Sequence, residues 1–415
     1  MIVGISLPAT APSVVDEHLD ELGKLCEAAG GEVVGRLVQD RRAPDPATFI
    51  GKGKVAELGA MARERRADLL VFDDDLSPAQ ARNLEKSVGV KVIDRSGLIL
   101  DIFARRARSR EARTQVELAQ LEYLLPRLTR QWTHLERQAG GIGTRGVGET
   151  QLELDRRIIR ERIARLRQEL ARIEKNRVTR RRGREKAYTV ALVGYTNAGK
   201  STLFNRLTLG EAFAMDKLFA TLDAKSRRGD APMPLETVFI DTVGFIRKLP
   251  HHLVASFRST MEEAAEADLV LHVINLAHPQ VEDQREVGGE VLRDLGVAPD
   301  RLLEVYNKVD AVPEPSFLER SGREAVTVSA LTGQGVGNLL ERIRMRELEG
   351  GEVVQLEIPA VESRVAARVH ELGIVHERIE RNGTIELTAW IPRAVRHEFE
   401  SYRTAPAERE PAESA

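Results

Sequence analysis

The run Gly194-Tyr195-Thr196-Asn197-Ala198-Gly199-Lys200-Ser201 sets glycine, lysine and serine in the spacing G-x-x-x-x-G-K-[ST]. Glycines let consecutive backbone N–H groups curl around a polyphosphate. The lysine adds a mobile positive charge and the serine hydroxyl can reach Mg²⁺. The apolar segment Thr189–Val193 reads as a strand leading into the run, and Leu203–Leu207 continues with helical periodicity, so a helix N-terminus also faces the anion. A plain Gly-rich turn is the competing reading. The strand before and the helix after weigh against it.

A second apolar strand, Leu302–Tyr306, ends in Asn307-Lys308-Val309-Asp310, the N-K-x-D arrangement. A carboxylate at Asp310 can accept both N1–H and the exocyclic amine of guanine, a pair adenine cannot offer. Asn307 and the aliphatic stem of Lys308 would steady the loop and cover the ring. Downstream, Ser329-Ala330-Leu331 can present backbone N–H groups to the guanine O6. Between these motifs, the strand-like Val238–Ile240 delivers Asp241-Thr242-Val243-Gly244, a D-x-x-G. Asp241 can hold the water shell of Mg²⁺, and Gly244 lets a backbone N–H approach the γ-phosphate. Thr221, in Phe219-Ala220-Thr221-Leu222-Asp223, is placed to complete the Mg²⁺ shell, although loop threonines are common. The ordered set predicts GTP and GDP as substrate and product.

Many GTPases place a water-orienting glutamine directly after the D-x-x-G glycine, where this chain has Phe245. A phenyl ring cannot orient water. Lys200 remains to offset transition-state charge, so intrinsic hydrolysis is expected to be slow and to await a partner or a cation. Asn197 resembles the asparagine of potassium-stimulated GTPases. A loop asparagine stabilising its own turn is an equal reading, and K⁺ stays open.

From Tyr188 to about Arg346 the chain resembles the HflX branch of the translation-factor-related P-loop GTPases, on Gly194–Ser201, Phe219–Asp223, Asp241–Phe245 and Asn307–Asp310. Upstream, Phe49–Lys54, Asp94–Phe103 and Gly140–Gln151 resemble the same family, and the likeness weakens after about Glu347. The resemblance implies association with the large ribosomal subunit and its rRNA, and the splitting or rescue of stalled ribosomes under stress. A large-subunit assembly GTPase, a GTP-gated regulator with no ribosomal role, and an ATP-driven RNA remodeller acting through the N-terminal region are the alternatives. For the last, Gly51-Lys52-Gly53-Lys54 could hold an anion at a helix start, but lacks the phosphate-loop spacing, and a turn or an RNA contact suits it better.

The elements that must carry these motifs fill 415 residues, enough for several cores. An α/β chain is expected: an N-terminal α/β domain with a small parallel sheet (1–104), a helical hairpin with a Gly-rich tip (105–187), a GTPase domain (188–346), a small α+β domain (347–403) and a disordered tail (404–415). In the first of these, Ile2–Leu7, Glu32–Val38, Leu69–Phe72 and Val90–Ile93 read as strands, alternating with helices Val14–Ala28, Lys54–Arg65 and Pro78–Ser87. Arg105–Arg137 and Gln151–Arg177 read as two long helices joined by Ala139–Gly148, which holds five glycines and Arg145. The C-terminal pieces read βαββα, with Asn382-Gly383 turning the middle hairpin.

Net charge is −2, yet arginines crowd 105–113 and 156–186. Such runs, poor in aromatics, suit phosphate backbone, and helix faces with internal ion pairs are the bland reading. A single cysteine, Cys26, excludes an intramolecular disulfide and a cysteine metal cluster. No apolar run approaches a membrane span and Met1–Ala11 lacks a leader pattern. The chain is therefore expected to be cytoplasmic, with peripheral membrane contact left open, to be monomeric when free, and to act on no DNA.

Overall fold

The computed structural model describes residues 1–8, 10–128, 151–181, 187–208, 225–247, 265–312 and 325–404. Within them lie three sheets: a four-stranded sheet ordered β2-β1-β3-β4, a six-stranded sheet ordered β10-β9-β8-β5-β7-β6, and a three-stranded sheet ordered β11-β13-β12.

The first sheet is parallel throughout: β1 (Ile2–Ser6), β2 (Arg36–Asp40), β3 (Leu69–Phe72) and β4 (Lys91–Asp94). Helices α1 (Pro12–Ala28), α4 (Arg95–Arg106) and α5 (Arg110–Leu124) cover one face, through Leu19, Leu22, Leu25, Leu98, Ile102, Phe103 and Val116. Helices α2 (Lys52–Glu64) and α3 (Pro78–Val88) cover the other, through Val55, Leu58, Leu84 and Val88. Strand β2 starts at Arg36 rather than at Glu32, because the first partner, Ile2, pairs with Arg36. Pairing, not apolar content, sets that boundary.

The expected helix over 105–137 is divided. Helix α4 extends through Arg106, Ser109 caps a fresh helix by accepting from Ala112 N, and that helix ends at Leu124, with Pro126 in the short turn that follows. An apolar period runs through such a break without registering it. The long helix Gln151–Arg181 packs antiparallel to α5: Arg156 donates to Leu128 O at one end and Arg110 to Glu169 at the other, over a seam of Leu118, Ile163 and Leu166. The Gly-rich tip, the stretch 182–186, the segment Phe219–Asp223 and the tail from 405 lie outside the described residues.

The central sheet comprises β5 (Tyr188–Gly194), β6 (Lys225–Arg228), β7 (Thr237–Asp241), β8 (Leu269–Asn275), β9 (Leu302–Asn307) and β10 (Ala325–Thr327), all parallel except the edge strand β6. Strands buried on both faces read as near-continuous apolar runs, as Leu269–Ile274 does. Loops leaving the carboxyl ends of β5, β7 and β9 therefore converge on one edge of the sheet. The third sheet, β11 (Gly351–Pro359), β12 (Ile374–Arg381) and β13 (Thr384–Pro392), is antiparallel and backed by the helix Ser363–Leu372. Asn382 and Gly383, at φ 50° and 78°, form the turn between β12 and β13. Among the described residues no helix is long and apolar enough to cross a membrane.

Candidate functional site

Strand β5 ends at Gly194, and the helix Lys200–Leu207 begins after Gly199. Both glycines are fixed by close approach as well as by conformation. At φ 146°, a Cβ on Gly194 would lie 2.1 Å from Val273 O, and at φ 90° one on Gly199 would lie 2.2 Å from Asn307 Nδ2. Asn197, at φ 60°, supplies a third left-handed residue. These positive-φ positions give the loop the tight turns that an anion cradle needs.

Lys200 is 6% exposed, and its ammonium donates to Gly194 O (3.0 Å) and Tyr195 O (2.9 Å), leaving a third N–H for a phosphate oxygen. Burial pulls it down to about 8, against the opposing influence of Asp241, so it stays largely cationic at neutral pH. Ser201 donates to Asp241 Oδ2 at 2.8 Å. A hydroxyl and a carboxylate meeting at the base of a phosphate loop are hard oxygen donors that fit Mg²⁺, which takes few protein ligands and completes its shell with water and phosphate. The described residues contain no cluster of three or more His, Cys, Asp or Glu able to hold a metal. Thr242 donates to Leu192 O (2.7 Å), pinning the end of β7 to β5.

Asn307 lies at the centre of the site. Its amide donates to Ala198 O (2.8 Å), and its carbonyl oxygen accepts from Ala330 N (2.9 Å), so it ties the phosphate loop to the Ser329–Leu331 turn. Lys308 adopts φ 68°, and the turn that follows leaves the Asp310 carboxylate exposed. Ser329 is fully buried and its hydroxyl accepts from Thr332 N (3.0 Å), shaping the Ser329–Leu331 turn. The contacts above join Gly194, Tyr195, Ala198, Lys200, Ser201, Asp241, Asn307 and Ala330, whereas Phe219, Ala220, Thr221, Leu222 and Asp223 lie outside the described residues.

Three features escape sequence reasoning. Arg206 donates to Ala330 O (3.2 Å) and Leu331 O (2.5 Å), bracing the base loop from the phosphate-loop helix. Its place about one and a half helical turns beyond the lysine-serine pair was the available signal. The Thr196 hydroxyl is buried without a hydrogen-bond partner among the described residues, an orphan that a ligand or a water would satisfy. Phe245 does not face the phosphate site with its ring: it is buried among Tyr195, Ile240, Val270 and Leu292. Its backbone instead pairs with the phosphate loop, Phe245 N donating to Gly194 O (2.9 Å) and Thr196 N to Phe245 O (2.7 Å).

The basic runs also divide. Arg162 pairs with Glu117, Arg167 with Glu122 and Arg110 with Glu169, all across the helical hairpin, while Arg105 donates to Ala29 O. Arg165, within 3.9 Å of Glu161, and Arg172 are exposed and, with Arg110, Gln168 and Glu169, rim an open groove of about 480 Å³.

Comparison with known proteins agrees with this architecture. Residues 16–104 match a GTP-binding GTPase N-terminal model, 106–184 its middle-region counterpart, and 189–308 the model of a 50S ribosome-binding GTPase. GTPase HflX of Escherichia coli (strain K12) is 46% identical over 385 residues, covering 91% of this chain and 90% of that protein. GTPase HflX of Caldanaerobacter subterraneus subsp. tengcongensis is 45% identical over 371 residues, covering 89% and 86%. That of Flavobacterium psychrophilum is 49% identical over 311 residues, covering 75% of each chain. Identity of this order along nearly the whole chain, together with a phosphate loop, a D-x-x-G and an N-K-x-D that converge on one sheet edge, means that the chain belongs to the HflX family of GTPases.

Proposed function

We propose that this GTPase acts, as a cytoplasmic monomer, on the large ribosomal subunit, and that GTP-dependent docking there splits or rescues stalled ribosomes. The observation that carries the reading is the separation of the phosphate-loop, D-x-x-G and N-K-x-D residues from a thin helical hairpin that leaves Arg165 and Arg172 exposed. Such a face meets a phosphate backbone through charge. The match of residues 189–308 to a 50S ribosome-binding GTPase model supports the same partner.

In this reading Lys200 and backbone N–H groups of the Gly194–Ser201 loop hold the phosphates, and Asp310 selects guanine while Asn307 fixes the two loops relative to each other. Ser201 and Asp241 are the residues that would hold Mg²⁺, with Thr221 the further candidate. The ion would supply charge neutralisation at the phosphates. Because Phe245 offers no group to orient water, the large subunit supplies the missing order. The test is GTP turnover by purified protein with and without large subunits, alongside co-sedimentation in GTP analogue, GDP and ATP analogue. Slow turnover alone, strong stimulation by mature subunits and GTP-analogue-dependent sedimentation are expected. Rapid turnover without ribosomes, or sedimentation indifferent to nucleotide, would overturn the reading, and preference for precursor particles would turn it toward assembly.

A further inference from the structure

The segment Asp94–Phe103, distinctive in sequence, takes no part in the nucleotide site, yet one of its residues leads there. Arg95 is 2% exposed, and its guanidinium is ion-paired with Asp73 (2.7 Å) and with Glu21 of α1. The other oxygen of the Glu21 carboxylate accepts a hydrogen bond from the Tyr195 hydroxyl at 2.8 Å. That same hydroxyl accepts from the backbone N–H of Arg247 at 2.7 Å. Arg247 then reaches His18 of α1 and Gln280 (2.9 Å) with its guanidinium.

Tyr195 belongs to the phosphate loop, and Arg247 follows the D-x-x-G. A buried polar chain, Asp73–Arg95–Glu21–Tyr195–Arg247, therefore links the N-terminal sheet to both. Apolar packing runs beside it, since Val243 and Ile246 are buried in the same cluster as Leu22, Leu25, Leu98 and Phe103. Burial, then the Glu21 carboxylate, pushes the Tyr195 phenol up, so it stays a neutral donor across the physiological range.

This linkage bears on the γ-phosphate. Gly244 stands so close to the phosphate loop that a Cβ there would lie 2.8 Å from Thr196 Cα and 2.9 Å from Lys200 Nζ. A γ-phosphate oxygen held by both Lys200 and the Gly244 N–H needs a hydrogen-bond length, roughly 3 Å, on either side. GDP carries no such oxygen. Gly244 and Lys200 therefore border the place such an oxygen would take, and the hydrogen bond from Arg247 N–H to Tyr195 restrains the loop through Arg247 from drawing back to make room for it.

We propose that Glu21 and Tyr195 are positioning residues for GTP: together they hold the Asp241–Arg247 loop against the phosphate loop, so that GTP, and not GDP, must open the Tyr195–Arg247 contact and thereby loosens α1. Neither residue needs to touch the reacting atoms. The ring of Tyr195 provides packing, and its hydroxyl provides the nucleotide discrimination.

The test uses full-length protein with Mg²⁺, GDP and the imido analogue of GTP. Tyr195→Phe keeps the buried ring and removes the hydroxyl, and should raise the analogue-to-GDP affinity ratio roughly fivefold, the worth of one hydrogen bond. Adding Glu21→Gln to it should change the ratio little, because both substitutions act through one contact. Hydrogen exchange supplies a readout that a merely structural role would not move. In the wild type the Arg247 amide and α1 should exchange faster with the analogue than with GDP, and in Tyr195→Phe the Arg247 amide should be fast with both. An unchanged affinity ratio in Tyr195→Phe overturns the proposal, as does wild-type exchange at Arg247 and α1 that is indifferent to the nucleotide. Should Tyr195→Phe fail to fold, the wild-type exchange comparison decides alone.

Discussion

Glu347 and His272 are both buried in the nucleotide-binding half of the chain, and they titrate in opposite senses. Burial lowers His272 from 6.5 to about 4, with Arg285 and Lys200 adding to the effect. Burial raises Glu347 from 4.5 to about 7, partly offset by the Leu235 N–H that donates to it at 2.7 Å. His272 is neutral in the folded chain, so its stabilisation is complete above pH 6.5 and is lost as pH falls toward 4. Glu347 is protonated in the folded chain, so its stabilisation is complete below pH 4.5 and is lost as pH rises toward 7. Each shift spans about 2.5 pH units at about 1.4 kcal/mol per unit, roughly 3 kcal/mol apiece. Between pH 4.5 and 6.5 the two slopes cancel.

Glu347→Gln removes one side of this balance while keeping an acceptor for Leu235 N–H. The variant should match the wild type near pH 4.5, gain about 1.4 kcal/mol per pH unit over it, and be about 3 kcal/mol more stable by pH 7.5. A chain of several sheets need not unfold in one step, so the assay is native-state hydrogen exchange of the β8 and Val336–Glu349 amides rather than a global melt. Taking the difference between variant and wild type at each pH cancels every other titrating group. A difference that stays constant from pH 4.5 to 7.5 would refute the placement of Glu347 as a buried acid.

Asp310→Asn exchanges a dual acceptor for one acceptor and one donor. Guanine affinity should drop by at least a few kcal/mol while xanthine, with its 2-oxo group, becomes acceptable, and a nucleotide titration showing unchanged GTP binding would remove Asp310 from the base site. Replacing Gly140–Gly148 by a short Gly-Ser linker should preserve GTP binding and abolish subunit splitting, and normal splitting would make that loop a mere connector. Arg165→Gln with Arg172→Gln should weaken ribosome association and flatten its salt dependence by a slope of about 2, read from sedimentation across a salt series.

What was legible in the sequence is what chemistry confines to short runs. A phosphate cradle needs its glycines, lysine and serine within one turn, so Gly194–Ser201 declares itself, and the parallel sheet follows from apolar strands alternating with helices. Contacts between distant positions leave no such trace. Glu21 and Tyr195 stand 174 residues apart, and nothing local to either predicts that they touch. Charge was legible only as composition: the arginine runs were visible, but Glu117, Glu122 and Glu169, which neutralise Arg162, Arg167 and Arg110, became partners only when the hairpin closed. Element ends set by pairing or capping, as at Arg36 and Ser109, were misplaced for the same reason.

Phe245 offers the sharpest case of a residue whose meaning changes between sequence and structure. From the sequence it is the absence of a glutamine, which suggests that Phe245→Gln would restore fast hydrolysis. In the structure the ring is buried with Tyr195, Ile240, Val270 and Leu292, while the backbone hydrogen-bonds with Gly194 and Thr196 of the phosphate loop. A glutamine there would place its amide in an apolar cluster rather than beside an attacking water, at a cost of about 1–3 kcal/mol for the buried unpaired group and a further loss from the cavity left by the ring. The substituted protein should therefore melt at lower temperature, bind both guanine nucleotides less tightly through the loosened backbone pairing with Gly194 and Thr196, and hydrolyse GTP no faster than the parent. Single-turnover hydrolysis measured beside a melting curve separates the two views. Faster turnover at unchanged stability would show that the side chain at 245 turns toward the γ-phosphate once GTP is bound, and that burial of the ring belongs to the resting chain alone.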